Sequence, residues 1–188
     1  MWVFIIVAAC VIIDQLSKLI VSSQMQLHDS FNLIPHLINI RYIQNKGAAF
    51  GMLQNHRWVF LIISTIAIGA MIYLLVRIMR LPKYYLMKTT FAMTIGGGIG
   101  NMIDRLRLGY VTDFLEFDFV EFAIFNFADS FVCVGSVLFC ICLLVGKNDA
   151  VFNAMIPSKM KKSIAENLNN DDADNENSAE PNQDGKAE

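Results

Sequence analysis

Residues Trp58–Val76, WVFLIISTIAIGAMIYLLV, run for 19 positions without one charged side chain. A helix rises about 1.5 Å per residue, so roughly 20 apolar residues cross the ~30 Å hydrocarbon core of a bilayer. This run reads as a transmembrane helix. Three other segments fit. Met1–Ile20 is apolar except for Asp14, Gln15, Ser17 and Lys18, and Leu86–Ile103 contains the small-residue stretch GGGIGN, Gly96–Asn101. Phe131–Val145 reaches spanning length if it begins near Asn126. Glycines weaken a helix in water, but in lipid they let neighbouring helices approach closely. The expectation is an α-helical membrane protein with four transmembrane helices over about 1–20, 58–76, 86–103 and 126–145.

Composition agrees. The chain is 55% hydrophobic with a mean hydropathy of +0.45, above the ~45–50% apolar share of soluble domains. The net charge of −2 hides an asymmetry: residues 1–163 hold 14 basic and 9 acidic residues, whereas 164–188 hold 1 and 8. A basic membrane body with an acidic tail does not fit a nucleic-acid binder, which carries a contiguous basic face. The expected division is a membrane domain over 1–162 and a disordered acidic cytoplasmic tail over 163–188, where aromatic residues are missing.

Basic residues mark cytoplasmic loops. Arg77, Arg80, Lys83 and Lys88 lie between spans two and three, and Lys147, Lys159, Lys161 and Lys162 follow span four. Both groups fall on one side if there are four spans, which places both termini in the cytoplasm. The outer side then holds 22–57 and 104–125. These loops alternate apolar and polar residues in FNLIPHLINIRYIQNKGAAFGM and YVTDFLEFDFVEF, the period-two pattern of short strands, here forming a small extracytoplasmic cradle. The box VAAC, Val7–Cys10, resembles a lipoprotein cleavage site, but only six apolar residues and no base precede it, so Met1–Ile20 is expected to be a retained helix. Cys10, Cys133, Cys140 and Cys142 lack ligand spacing and read as buried small hydrophobes. His28, His36 and His56 read as surface residues, and no metal site is expected.

No G-x-S-x-G, His-Glu-x-x-His or P-loop is present. What remains is carboxylate chemistry. Ionisable residues in or beside a span are costly, so each is a site candidate. Asp14 and Lys18, at i and i+4, make either a structural ion pair or part of a site. Asp104–Arg105 makes either interface anchoring or a site. Glu116, Asp118 and Glu121 alternate with aromatics like a solvated strand face. Asp129, with Asn126 three residues before it, sits at the mouth of the last span, where helix capping competes with function. Asp113 stands between apolar neighbours on a strand. Two aspartates brought together can share one proton and serve as base and acid towards a peptide bond. Spacing alone does not select Asp113 and Asp129 over Asp14 or Asp104. A proton-coupled membrane transporter using the same carboxylates, or a non-catalytic membrane subunit, remains open at this point.

The ordered set DQLSK (14–18), NKGAAFGM (45–52), GGGIGNMIDRL (96–106), GYVTDFLEF (109–117) and FNFADS (125–130) resembles the bacterial lipoprotein signal peptidases, the signal peptidase II family. The resemblance covers about Met1 to Lys162. It implies an aspartyl endopeptidase of the inner membrane that cuts diacylglyceryl-modified prolipoproteins just before the lipidated cysteine. It implies no cofactor, lipid and prolipoprotein as partners, and inhibition by the cyclic peptide globomycin. Asp113 and Asp129 match the catalytic dyad. Asn126 and Ala128 flank the second aspartate, and Asn101 and Arg105 match residues that line the site and hold substrate. Asn45 and Gly47 match the polar motif of the first outer loop, and Asp14 and Lys18 match a supporting pair. Gly47, Ala48 and Ala49 would leave room for a substrate helix.

Overall fold

The computed structural model describes residues 1–47, 57–145, 149–156 and 160. Its elements are α1 (Trp2–Gln24), β1 (Ser30–Ile34), β2 (Ile38–Asn45), α2 (Arg57–Met79), α3 (Tyr85–Arg107), β3 (Val111–Phe117) and α4 (Phe127–Val145). A separate unit from Asp149 carries one short helix, α5 (Asp149–Met155). Ala48, Ala49, His56 and the acidic tail lie outside the described residues.

Among the described residues, α1, α2 and α4 are long and apolar enough to cross a membrane. They turn their large side chains outward: Phe4 is 74% exposed and Ile66 68%. In a lipid solvent this exposure is not penalised, so the interior is selected for small and polar side chains instead. The exposure of Cys133 and Cys140 on α4 follows the same logic and corrects the expectation that they are buried; Cys10 is buried and Cys142 half-buried. At 23 residues α3 has the length of a span but not the apolarity, since it carries Lys88, Asp104, Arg105 and Arg107. It packs against α1, α2 and α4 and buries eleven residues, among them Thr90, Thr94, Gly96, Gly97, Gly100 and Asp104. The helices outrun the apolar runs that predicted them. α1 reaches Gln24 and α3 reaches Arg107, because helical hydrogen bonding continues through polar residues that leave the apolar layer.

Two glycines set how close α3 comes to its partners. A Cβ at Gly97 would run into the Ala128 carbonyl oxygen and lie 2.9 Å from Val132 Cγ2. One at Gly100 would meet the Asp14 carboxylate and lie 3.3 Å from Ala128 Cβ. The first turn of α4 and the middle of α1 therefore both rest on the bare backbone of α3.

The strands form an antiparallel sheet in the order β1-β2-β3. Ile40 opposes Leu115 and Ile43 opposes Asp113, so β2 carries one extra residue between those pairs. Such a bulge bends the strand and resets which side chains face inward. Val21, Ile40, Tyr42 and Phe114 form a buried cluster, with Phe127 packed against it, that ties the sheet to α1 and α4. The start of β3 is buried throughout, Thr112 as well as Asp113. Adjacent strand residues point to opposite faces, so this end of β3 is covered on both sides. Asp113 shares its face of the strand with Val111 and Leu115, whereas Thr112 lies on the opposite face. β3 ends at Phe117, a short strand as the alternation suggested. Leu115 and Phe125 then exchange backbone hydrogen bonds at 2.8 and 3.0 Å, which sets Asn126 beside β3.

Candidate active site

The site begins with a helix cap. Asn126 precedes α4, and its Oδ1 accepts from the Asp129 backbone N–H at 3.0 Å, while Asp129 Oδ2 accepts from the Asn126 N–H at 3.2 Å. This reciprocal pair is a capping box with the acid three residues after the cap. The cap leaves the Asn126 side-chain NH₂ free to bond elsewhere. It donates to Asp113 Oδ1 at 2.6 Å and to Asn101 Oδ1 at 3.1 Å. Asn101 Nδ2 in turn donates to Asp129 Oδ1 at 2.7 Å. Asp113 and Asp129 are therefore held by shared amides, Asn126 touching both.

The remaining side chains close around this pair. Asn45 on β2 donates to Asp113 Oδ2 at 2.9 Å and accepts from the Gly47 N–H at 2.9 Å. Arg105 donates to the carbonyls of Gly47 and Asn101, each at 3.3 Å, and its guanidinium stacks 4.9 Å from the Phe60 ring centroid. Behind the pair lies a buried ion cluster: the Lys18 ammonium is 2.9 Å from Asp14 Oδ2, 3.1 Å from Asp104 Oδ2 and 2.8 Å from Asn101 Oδ1. Asp14 Oδ1 accepts the Ala128 N–H at 3.0 Å, so α1 holds the first turn of α4 directly. Asp104 Oδ2 also accepts the Thr112 N–H at 3.0 Å, fixing the start of β3. Gln15 bridges Asp14 and Asp104 at 3.2 and 2.9 Å.

All ten sequence-predicted residues fall in this one network: Asp14, Lys18, Asn45, Gly47, Asn101, Arg105, Asp113, Asn126, Ala128 and Asp129. Asp104, which the sequence left open between interface anchor and site, also joins it, and so does Gln15, which was not a candidate. Their signal was periodicity, for Asp104 lies one turn after Gly100, the glycine that meets Asp14. Glu116, half-buried, pairs instead with Arg41 at 3.1 Å, and the exposed Asp118 accepts from Asn39 at 3.0 Å, so both acids serve the sheet surface. His28 and His36 are exposed turn residues with φ of 76° and 61°.

Burial is the main force on Asp113, which is 2% exposed, and the Asp129 carboxylate adds to it. Together they push its pKa up to about 7, against the opposing pull of the Asn45 and Asn126 amides. A carboxyl poised there exchanges its proton readily near neutral pH. An open groove of about 1270 Å³ runs along the sheet, lined by Asn39, Gln44, Asn45, Glu116 and Phe122 among others; of the site residues above, it is lined by Asn45.

A helical membrane protein with two carboxyls clamped at the junction of sheet and helices is the class these features define. Residues 6–145 match the family described as Signal peptidase (SPase) II. The chain is 44% identical over 134 residues to the lipoprotein signal peptidase of Caldanaerobacter subterraneus subsp. tengcongensis, covering 71% of this chain and 90% of that one. It is 45% identical over 133 residues to that of Streptococcus pyogenes serotype M5, covering 71% and 86%. Two solved structures described as a bacterial membrane enzyme superpose with TM-scores of 0.69 and 0.68 at 35% and 36% identity. They cover 76% of this chain and 87% and 92% of theirs. The chain belongs to the signal peptidase II family and is a lipoprotein-processing membrane peptidase.

Proposed function

We propose that the chain is an intramembrane aspartyl endopeptidase that removes the signal peptide of diacylglyceryl-modified prolipoproteins, cutting just before the lipidated cysteine, with Asp113 and Asp129 as its catalytic dyad. The observation that carries this is the Asn126 amide, which caps the helix bearing Asp129 and donates to Asp113. One carboxyl of the pair is ionised and the other protonated. The ionised one takes a proton from water as the water oxygen bonds to the scissile carbonyl carbon, and the protonated one gives its proton to the carbonyl oxygen. In the collapse of the tetrahedral diol, the first returns its proton to the leaving nitrogen and the second takes one from a diol hydroxyl. The C–N bond breaks, and the pair again holds one proton. Neither a metal nor a cofactor takes part in these steps.

Arg105, Asn101 and Gly47 line this position and would hold the peptide backbone, and the groove beside the sheet would receive the extended substrate, the strands serving as cradle. α3 is the fourth span, shielded from lipid by its three neighbours. The basic residues Arg77, Arg80, Lys83 and Lys88 then mark the cytoplasmic side of the inner membrane, with both termini there and the site at the outer face. The lipid on the substrate cysteine would keep the scissile bond at that depth, and globomycin would compete for the same place. The test is cleavage of a diacylated prolipoprotein by purified protein in lipid. Wild type cuts and globomycin blocks it; Asp113→Asn and Asp129→Asn bind substrate without cutting, each slowed at least ~100-fold. Cutting at the wild-type rate by either variant refutes the dyad, and proton flux in proteoliposomes without cleavage would favour a transporter.

A further inference from the structure

The two carboxyls of the pair have different surroundings. Asp113 lies on a strand and accepts from two neutral amides, Asn45 at 2.9 Å and Asn126 at 2.6 Å. Asp129 lies in the first turn of α4, where the helix dipole favours negative charge, and it accepts the Asn126 N–H at 3.2 Å. Its other oxygen accepts from Asn101 Nδ2 at 2.7 Å.

That Asn101 amide is not free to turn. An ammonium has three donors and no acceptor. Lys18 gives its three to Asp14, Asp104 and Asn101 Oδ1, at 2.9, 3.1 and 2.8 Å. Flipping Asn101 would put an NH₂ against the ammonium and a carbonyl oxygen against Asp129. The cation on one end also polarises the amide and strengthens its donation at the other. The charged groups facing the pair are Asp14 and Lys18 on α1 and Asp104 and Arg105 on α3. Because Asp14 and Asp104 offset the charge of Lys18, its effect runs through the amide more than through its field.

We infer that Lys18 is a positioning residue that locks Asn101 as a donor to Asp129, making Asp129 the standing carboxylate of the pair and leaving the shared proton on Asp113. The inference rests on the aspartyl reading above. It casts Asp129 as the group that takes the water proton and Asp113 as the one that protonates the carbonyl oxygen.

The test is infrared absorption of the purified full chain in lipid at mildly acidic pH, with isotope-labelled aspartate, reading the carbonyl stretch of protonated carboxyl groups. Asp113→Asn loses that band from the pair, whereas Asp129→Asn keeps it. Lys18→Met with Asp104→Asn removes one cation and one anion; placed in the Asp113→Asn chain, this pair of changes restores a band as Asp129 takes up a proton. In chains that keep Asp113, the same pair of changes moves the acid limb of kcat/KM to higher pH, with about a tenfold loss on that limb. A merely structural Lys18 would lower the rate equally at every pH. If the double change does not fold, Asn101→Ala asks the same question and should shift the same limb. The inference is overturned if Asp129→Asn loses the band while Asp113→Asn keeps it, or if neither Lys18→Met with Asp104→Asn nor Asn101→Ala moves the limb. The spectra do not depend on turnover, so they separate this failure from failure of the dyad, which shows only as cleavage by the asparagine variants.

Discussion

Asp113 should make the stability of the folded chain fall as pH rises, and the size follows from its site. Its pKa is raised from 3.8 to about 7, chiefly by burial. At about 1.4 kcal/mol per unit, that displacement is on the order of 4 kcal/mol, an upper bound for a carboxyl that shares its proton with a neighbour. The folded-state value is the higher one, so between about pH 4 and 7 the native chain holds a proton that the unfolded chain releases. The contribution is complete below about pH 4 and is lost as pH rises through about 7. Asp113→Asn does not titrate. It offers one acceptor oxygen where the Asn45 and Asn126 amides both donate, which costs about 1–3 kcal/mol at every pH. Wild type should therefore exceed the variant most at acid pH, and the gap should close or reverse by about pH 8. Thermal unfolding in detergent micelles, followed by the fluorescence of Trp2 and Trp58, reads the difference. At about 2–4 °C per kcal/mol the wild-type advantage should change by on the order of 10 °C across the window. A wild-type-minus-variant difference that stays constant from pH 4 to 8 would refute the assignment of a raised pKa to Asp113.

Two other changes separate packing from chemistry. Gly97→Ala places a methyl against the Ala128 carbonyl and 2.9 Å from Val132 Cγ2, so α4 must shift; a loss of about 1–3 kcal/mol in unfolding assays is expected, with lower kcat because Asp129 moves with the helix. Asn126→Ala removes the cap as well as the links to Asp113 and Asn101; it should cost about 1 kcal/mol of stability yet far more in rate, and a rate loss no larger than the stability loss would deny the amide its bridging role.

Much of this was legible in the sequence because lipid simplifies the code. Trp58–Val76 has no reading other than a span, and polar residues inside such runs stand out. The strands in the segments between the helices showed in their alternation. What stayed hidden was set by contacts between elements distant in sequence. Nothing near Asp104 announces that it joins Lys18, 86 positions earlier, and caps the start of β3; locally it looks like an interface charge. The bulge between Ile40 and Ile43, which sets the register opposite Asp113, leaves no mark in IRYIQN. The choice of Asp113 and Asp129 over Asp14 and Asp104 could not be made from spacing, because each of the four lies in or beside an apolar stretch. The hydrogen bonds divide them. Among the described residues, Lys18 neutralises Asp14 and Asp104, whereas the hydrogen-bond donors to Asp113 and Asp129 are neutral amides.

Helix capping and catalysis looked like rival explanations of Asn126 and Asp129, but the cap geometry is compatible with the proposed dyad. A cap spends only part of an asparagine. Its carbonyl oxygen satisfies the Asp129 N–H and fixes the side chain, and the NH₂ is then aimed outward, at Asp113 and Asn101. The acid in the box likewise spends one oxygen on the Asn126 N–H and offers the other to Asn101. Because the cap fixes both rotamers, the carboxyl of Asp129 is held at the helix end before any substrate arrives. If Asp113 and Asp129 act as the proposed dyad, such preorganisation would leave little to rearrange when charge moves between them, which is where a preformed polar site lowers a barrier. The position of the site at the start of α4 follows from this: the end of a helix is where backbone N–H groups remain to hold a carboxylate, and where water can still reach it.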